Sequence, residues 1–262
     1  MDSKARDSCS RDTLKTSDRC FLYPPILTSV FVFFYCLLPA IGRADNAAAS
    51  SSQSGNLPFR QGERIVYDIR KLNLKIGEAA LTFHGLTQLD HRQVFLITFV
   101  SKGPEFFDEE RIFLDPETFF PIQVQRDINI FGRKEKIVEH YSPHDGVVEV
   151  VKTVREKTSR DVIRKPQRLD NLYCFIYRYR RSGGFRIGED LQMHLPTKDV
   201  QFKLLTTDPL KINGKPLDAY YMESIPKKYR VWFSKSQDKI PLRIDGAVGF
   251  GKTALVMREY HR

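Results

Sequence analysis

Alternation of apolar and charged side chains is the feature that most constrains the fold of this chain. It is clearest in residues 59–83, where Ile65, Tyr67 and Ile69 lie at every second position against the charged residues Arg64, Asp68 and Arg70, and the alternation returns over residues 79–83. A period of two places successive side chains on opposite faces of a β-strand. The stretch therefore predicts an antiparallel pair of strands that opens a sheet with one solvated face.

Similar runs continue to the C-terminus and predict about a dozen strands in a meander. Asn213-Gly214 predicts a tight hairpin turn between two of them. Residues 170–181 depart from this pattern, because they place four apolar side chains at helical spacing from Leu172 onward, with Asp170 as the predicted N-cap. The predicted fold is mainly β: a large curved antiparallel sheet, or a partly closed β-barrel, that wraps one α-helix.

Residues 1–44 are predicted to be an export signal with a long polar leader. Residues 21–41 are almost wholly apolar, and Gly42-Arg43-Ala44 offers small residues two apart for cleavage. Residues 45–58 have the composition of a flexible linker, and residues 59–262 are predicted to form a single β-rich domain. The predicted location is the periplasm. A retained membrane anchor is the alternative, since the apolar run has about the 20 residues that a bilayer span needs.

Cysteine and charge content bound the environment of the mature chain. Three of the four cysteines precede the predicted cleavage site, so only Cys174 would remain and no internal disulfide could form. Residues 1–44 contain six basic and four acidic residues, so their removal changes the net charge from +10 to +8. A basic exported protein meets anionic lipids or glycans more readily than nucleic acid. No nucleic-acid partner is predicted.

Several short motifs occur along the chain in a defined order. They are Gly62-Glu63 with Tyr67, Ile76-Gly77, Asp170 with the helix to Arg180, Gly188-Glu189, Arg230-Val231-Trp232-Phe233-Ser234, Pro241-Leu242 and the glycines near Gly249. Together they resemble an exported bacterial family known as domain of unknown function 3108, over nearly the whole mature chain. The resemblance implies export and a sheet-plus-helix plan similar to that of periplasmic carriers of lipoproteins and lipids. It implies no activity.

We interpret the chain as a noncatalytic envelope protein that binds a lipid, an acyl chain or a lipoprotein on the concave face of its sheet. Residues 229–234 carry aromatic side chains on both strand faces. One face is predicted to pack on the helix, and the other to face the opposite wall or a ligand. The predicted ligand-binding residues are Trp232, Tyr67, Phe175 and Tyr179.

A dense basic run follows the middle of the chain. Its functional interpretation is a patch that binds the anionic head groups of lipid or lipopolysaccharide and associates the protein with the envelope surface. Its alternative interpretation is a charged, protective edge of the sheet. The run consists of Lys152, Arg155, Lys157, Arg160, Arg164, Lys165 and Arg168.

Two other functional classes stay open. An envelope hydrolase or glycan-processing enzyme would need two carboxylates about 5 to 10 Å apart across a cleft. Glu105, Asp108, Glu109 and Glu110 are candidates, although we interpret this cluster as a solvated loop. An assembly factor would instead recruit proteins through the edges of its sheet.

Three motifs are predicted to carry no cofactor chemistry. Residues 246–253, which end at Thr253, match the phosphate-binding pattern GxxxxGK[ST], but a nucleotide site needs a parallel sheet and a later acidic strand. His140 and His144 are four apart, yet Pro143 forbids the helix that would bring them together on a metal. Cys174 lies beside the apolar stripe of the helix without a local base, which indicates packing. We predict no nucleotide, metal or other cofactor.

Overall fold

The computed structural model describes residues 57–248 and 253–262, and within them fourteen strands form one antiparallel sheet. A single helix, α1, follows the eighth strand in this described part of the chain. The strands are β1 (Arg64–Lys71), β2 (Leu74–Leu89), β3 (Arg92–Gly103), β4 (Phe106–Leu114), β5 (Pro121–Ile130), β6 (Arg133–Tyr141), β7 (Val147–Val154), β8 (Lys157–Arg164), β9 (Asp190–Leu195), β10 (Lys198–Ile212), β11 (Lys215–Ile225), β12 (Arg230–Ser234), β13 (Pro241–Asp245) and β14 (Thr253–His261).

The order of the strands places the first and the last beside each other in the middle of the sheet. From one edge to the other the order is β8-β7-β6-β5-β4-β3-β2-β1-β14-β13-β12-β11-β10-β9. The β1–β14 ladder runs from Arg64 opposite His261 to Lys71 opposite Thr253. All other neighbours are consecutive in sequence, so each half of the sheet is a meander, and β8 and β9 remain as unpaired edges.

The helix predicted from the apolar spacing is α1 (Leu172–Ser182). Its N-cap is Asn171, whose side chain accepts a hydrogen bond from the backbone N–H of Tyr173 at 2.8 Å. The prediction of Asp170 as the cap is therefore wrong by one residue. The buried Asp170 carboxylate instead accepts hydrogen bonds from the Arg178 guanidinium, which lies farther along the same helix.

The sheet curves around this helix and packs against it from both halves. Tyr173 stacks on Phe99 of β3 with ring centroids 4.5 Å apart, and Phe175 stacks on Phe202 of β10 at 4.9 Å. Strands β3 and β10 lie far apart in the order of the sheet, so the sheet must bend to touch both sides of α1. The predicted mainly β fold, a curved antiparallel sheet around one helix, is confirmed. We call the face that contacts α1 the concave face.

Two segments extend the sheet beyond the sequence prediction. The predicted turn at Asn213-Gly214 is confirmed by positive φ angles of 49° and 80°. The hairpin that it closes pairs β10 with β11 from Gln201 opposite Ile225 to Ile212 opposite Lys215, and the Asn213 side chain donates to the carbonyl oxygen of Arg258 at 2.8 Å. Strand β8 was missed, because most of its residues are exposed and it carries almost no apolar alternation.

The segment between β8 and α1 bridges the two edges of the sheet. Lys165 Nζ lies 2.8 Å from Asp199 Oδ1, at the β9–β10 turn. The backbone N–H of Asp170 donates to the carbonyl oxygen of His194 at 2.8 Å. These contacts narrow the gap between β8 and β9 without a shared ladder, as expected of a partly closed barrel.

The predicted export signal, residues 1–44, and residues 45–56 of the predicted linker lie outside the described residues. Across residues 57–248 and 253–262, no helix combines the length and the apolar character that a membrane crossing requires.

Candidate functional site

Helix α1 lies against one end of the concave face. Near its C-terminus Arg180 reaches Glu63, which immediately precedes β1. At its N-terminus Asn171 donates to Glu110 Oε1, in the middle of β4, at 2.7 Å. The strand ends beyond Glu110 therefore extend past the start of the helix.

Apolar side chains line the concave face in that extension. Val124 belongs to the core, and strand alternation carries the same face of β5 through residues 126, 128 and 130. Ile128 and Ile130 are half-buried. The strands on either side add apolar residues in register with β5. We call this set the apolar strip, and it consists of Phe106, Ile128, Ile130, Ile137 and Val154.

Two glycines make room for the aromatic end of the apolar strip. A Cβ at Gly103 would overlap the ring of Phe106 and the carbonyl oxygen of Ile76. A Cβ at Gly77 would overlap the same ring and the carbonyl oxygen of Lys102. The Phe106 ring therefore packs against the backbone of β2 and β3 at Gly77 and Gly103, where any larger residue would overlap it.

Charged side chains are interleaved with the apolar strip on the side nearer the helix, where Asp108 lies opposite Ile128 and Arg126 lies opposite Ile137. Arg126 donates from Nε to Oδ1 of Asp108 at 2.7 Å and from Nη2 to Oδ2. On the neighbouring strand the Tyr141 hydroxyl donates to Glu139 Oε2 at 2.5 Å. We call Asp108, Glu110, Arg126 and Glu139 the inner cluster.

Burial shifts the protonation of the inner cluster. It raises the pKa of Glu110 to about 7, although Arg126 and the hydrogen bond from Asn171 act in the opposite direction. Burial also raises the pKa of Glu139, against the influence of Tyr141 and Arg126. The inner cluster therefore holds a carboxyl group that exchanges a proton near neutral pH.

The interpretation of the acidic cluster as a solvated loop is wrong for Asp108, Glu109 and Glu110, although Glu105 does lie in an exposed turn. Residues 108–110 lie on β4, where Asp108 is buried and pairs with Ser101 across the ladder. Two-residue alternation from the core residue Ile112 back through Glu110 to Asp108 is the sequence signal that points to the concave face. The run of acidic residues concealed it, because charged runs are typical of loops.

We expect Glu110→Gln to flatten the pH dependence of stability. The folded-state pKa of about 7 exceeds the ordinary 4.5, so the stabilisation from protonation is full below about pH 4.5 and is lost as the pH rises through 7. The corresponding loss is on the order of 3 kcal/mol, and the variant should lack it. Urea unfolding at pH 5 and pH 8 measures the difference, with Glu109→Gln on the opposite face of β4 as the control. Equal pH slopes for the wild type and Glu110→Gln would contradict this assignment.

A cavity of about 930 Å³ borders the inner cluster through Arg126. It extends to the ends of β12, β13 and β14 and to the β10–β11 hairpin. Among the described residues that line it, the acidic ones are Glu223 and Asp245, and the basic ones are Arg70, Arg126, Lys211, Lys227, Lys228, Arg230 and Arg243. The excess of basic groups makes this cavity attractive to anions.

Three of the predicted ligand-binding side chains lie in the core instead of the apolar strip or the cavity. Tyr67 is fully buried and donates its hydroxyl to the carbonyl oxygen of Pro241 at 2.9 Å. Phe175 is sandwiched within the helix–sheet interface, and Tyr179 donates to Glu189 Oε2 at 3.0 Å. Their aromatic bulk fills the contact between sheet and helix, which leaves them no open surface.

Trp232 lies on the face of β12 that points away from the helix. Its ring packs against Tyr221, with centroids 4.9 Å apart, and against Leu242 in a small separate cluster. Phe233 points the other way and packs against Tyr179, with ring centroids 5.8 Å apart. The predicted helix-facing side of this strand is therefore the Phe233 side. Trp232 is only 6% exposed and lies outside the concave face.

The predicted basic patch is divided by the structure. Lys152 pairs with Glu135 at 2.6 Å on the concave face, while Arg160 pairs with Glu149 at 3.2 Å on the opposite face. Lys165 pairs with Asp199. The guanidinium carbon of Arg168 lies 4.0 Å from the ring centroid of Phe120. The members that are exposed and form no ion pair in the described part of the chain are Arg155, Lys157 and Arg164.

The structure places the cysteine and the end of the phosphate-binding pattern in ordinary packing positions. Cys174 is buried, and burial raises the pKa of its thiol. Thr253 begins an antiparallel strand, not a helix, and donates to the carbonyl oxygen of Val248 at 3.1 Å. Residues 249–252 lie outside the described residues. In residues 57–248 and 253–262, no group of three His, Cys, Asp or Glu side chains is arranged to hold a metal ion.

Comparison with known proteins bears on the family. No curated protein matches the chain. Among solved structures, a β-barrel-like protein of domain of unknown function DUF1849 from Brucella abortus matches with 11% identity, a TM-score of 0.44, and coverage of 76% of this chain and 97% of that one. The family described as "Protein of unknown function (DUF3108)" matches residues 65–258, which is most of the chain. The chain therefore belongs to the DUF3108 family of proteins of unknown function.

Proposed function

We propose that this protein is a noncatalytic binding protein of the bacterial cell envelope that holds an acyl chain, from a lipid or a lipoprotein, on its concave face. The observation that carries the proposal is the apolar strip, which lies half-buried beyond the N-terminus of α1. Binding sites for apolar ligands combine such a surface with a few fixed polar groups. Here the polar groups are the inner cluster.

The energetics of the apolar strip favour an acyl chain. Each methylene that leaves water for an apolar surface contributes about 0.8 kcal/mol. The strip presents branched and aromatic side chains from β4 to β7, with Phe106 directly opposite Ile130 and the other members alternating with charged partners across the ladders. Arg126 lies directly opposite Ile137 of the strip and offers a cation to a polar end group.

The location in the envelope is the part of this proposal that rests on sequence. The apolar leader supports export to the periplasm, and the positive charge supports contact with anionic membrane surfaces. Anionic lipid, lipopolysaccharide and lipoprotein are the partners that this charge would suit.

Ile137→Asp is expected to weaken binding of a fluorescent long-chain fatty acid by at least about tenfold, because it places a carboxylate on the apolar strip. Val138→Asp is the matched control. Val138 is the next residue on β6, is also half-buried and faces away from the strip. Fluorescence titration of the probe against both variants measures the difference.

The two variants also supply the contradicting outcomes. If both weaken binding equally, the effect is on folding and the strip is not the site. If the wild type binds no fatty acid, and native mass spectrometry of protein purified from its own envelope shows no copurified acyl chain, the proposal fails.

A hydrolase is the second candidate, favoured by the raised pKa values of Glu110 and Glu139 in one cluster. A carboxyl group whose pKa is raised by burial is the kind of group that serves as the general acid in hydrolysis. The Glu110→Gln variant distinguishes the candidates. Acyl binding should survive it, whereas turnover of an ester or glycoside would not.

A further inference from the structure

We propose that Lys198 and Lys228 form a binding site for a phosphate group beside the 930 Å³ cavity, which Lys228 and Tyr229 line. Both ammonium groups lie over the ring of Tyr229, with Lys198 Nζ 4.8 Å and Lys228 Nζ 5.6 Å from its centroid. Lys198 begins β10, and Lys228 lies in the turn before β12. The fold therefore brings two cations from different hairpins to one aromatic ring.

Within the described residues no carboxylate lies within ion-pair distance of either lysine, whereas most of the basic groups that line the cavity are paired with one. Arg230 and Arg243 share the buried carboxylate of Asp245. Lys198 and Lys228 have each other as neighbours. Partial burial and the nearby Lys228 lower the pKa of Lys198 to about 8. A bound anion would relieve this repulsion.

The backbone fixes the position of the lysine pair. Gly246 has a φ of 83°, and a Cβ there would overlap the carbonyl oxygen of Lys228. The turn that carries Lys228 therefore packs directly on the backbone that follows β13. Tyr229 is 7% exposed and belongs to the core, so the ring beneath the two ammonium groups is also held in place.

The charge and position of the pair indicate the ligand class. Two cations without a counter-ion match a phosphate monoester, which carries nearly two negative charges at neutral pH, better than a carboxylate, which carries one. Lys228 and Arg126 line the same cavity, and Arg126 borders the apolar strip. A lipid could therefore place its phosphate beside the cavity and its chain on the strip. This lipid source rests on the proposed function, while the phosphate site does not.

The test compares two lysine pairs that each lie over one tyrosine ring, and in the control pair Lys235 also has a carboxylate neighbour, Asp218, at 3.8 Å. Lys198→Gln/Lys228→Gln removes the proposed site. Lys235→Gln/Lys239→Gln removes two lysines that lie 6.0 Å and 4.8 Å from the ring centroid of Tyr220, away from the cavity lining. Titration calorimetry with inorganic phosphate should show at least about tenfold weaker binding for the first double variant only. Phosphate binding that is absent from the wild type, or that is equal in the two double variants, would overturn the site.

Lipid probes identify the source of the phosphate. Dioctanoyl phosphatidic acid that binds more tightly than both inorganic phosphate and octanoate supports a lipid head group. Equal affinity for dioctanoyl phosphatidic acid and inorganic phosphate supports the phosphate site and overturns the lipid as its source. Binding of the fluorescent fatty acid to Lys198→Gln/Lys228→Gln reports separately on the apolar strip, so failure of either proposal is recognised independently.

Discussion

Glu63→Ala is expected to lower the free energy of unfolding by about 3 to 5 kcal/mol, the range for breaking a buried ion pair by removing one partner. Arg180 donates from Nη1 and Nη2 to the two carboxylate oxygens of Glu63, at 2.7 Å and 2.8 Å. Both side chains are 0% exposed, so the alanine variant would leave a buried guanidinium without its counter-ion. The hydroxyls of Tyr177 and Tyr260, which donate to the same carboxylate, would also lose their acceptor.

Chemical denaturation followed by circular dichroism measures this loss. The double variant Glu63→Leu/Arg180→Met should lose less free energy of unfolding than the sum of the losses in Glu63→Leu and Arg180→Met, because it leaves no unpaired charge. Glu149→Ala serves as a surface control, since the Arg160–Glu149 pair is largely exposed and should change stability little. A Glu63→Ala protein as stable as the surface control would show that the pair does not hold α1 to the sheet.

Trp232→Ala is expected to cost about 3 to 5 kcal/mol, as for other large aromatic side chains removed from a packed site. The ring is 6% exposed and packs with Ala219 and Leu242 on the convex side of the sheet. Its removal should loosen the β10–β11 hairpin against that face. Because Trp232 points away from the concave face, fatty-acid binding by the folded fraction should remain near the wild-type value.

The measurement for Trp232 uses far-ultraviolet circular dichroism, because the substitution removes the only tryptophan. Trp232→Phe is the matched control, which keeps an aromatic ring and should lose less stability. If Trp232→Ala remained as stable as the wild type yet abolished fatty-acid binding, the ligand site would lie on the convex face. The apolar strip would then lose its role.

Alternation predicted the sheet well, because a strand with one buried face has apolar residues at every second position of its sequence. Ile65, Tyr67 and Ile69 all proved to be fully buried. The same rule missed β8, where both faces are exposed and no apolar period survives. It also could not choose between Asp170 and Asn171 as the helix cap. Both residue types are good helix caps. In the structure the Asp170 carboxylate accepts a hydrogen bond from Arg178, and Asn171 is the cap.

The candidate site was harder to predict because it depends on register. The strip brings Ile137 beside Arg126, and Phe106 beside Ile130, through ladders between separate strands. Sequence indicates which residues share a face of one strand, but not which strand ends the helix leaves uncovered. The lysine pair has the same origin. Lys198 and Lys228 are thirty positions apart, and only the fold places both over Tyr229.

The central β1–β14 ladder has a consequence for how the chain reaches its native state. Each meander can form from local hairpins, but joining the two requires residues 64–71 to meet residues 253–261. Pairing across so long a stretch of chain closes a very large loop, and contacts of this kind slow folding. Until the ladder forms, β1 and β14 each expose a strand edge in the middle of the future sheet. A chaperone that shields those edges would act on the slowest and most aggregation-prone stage of folding.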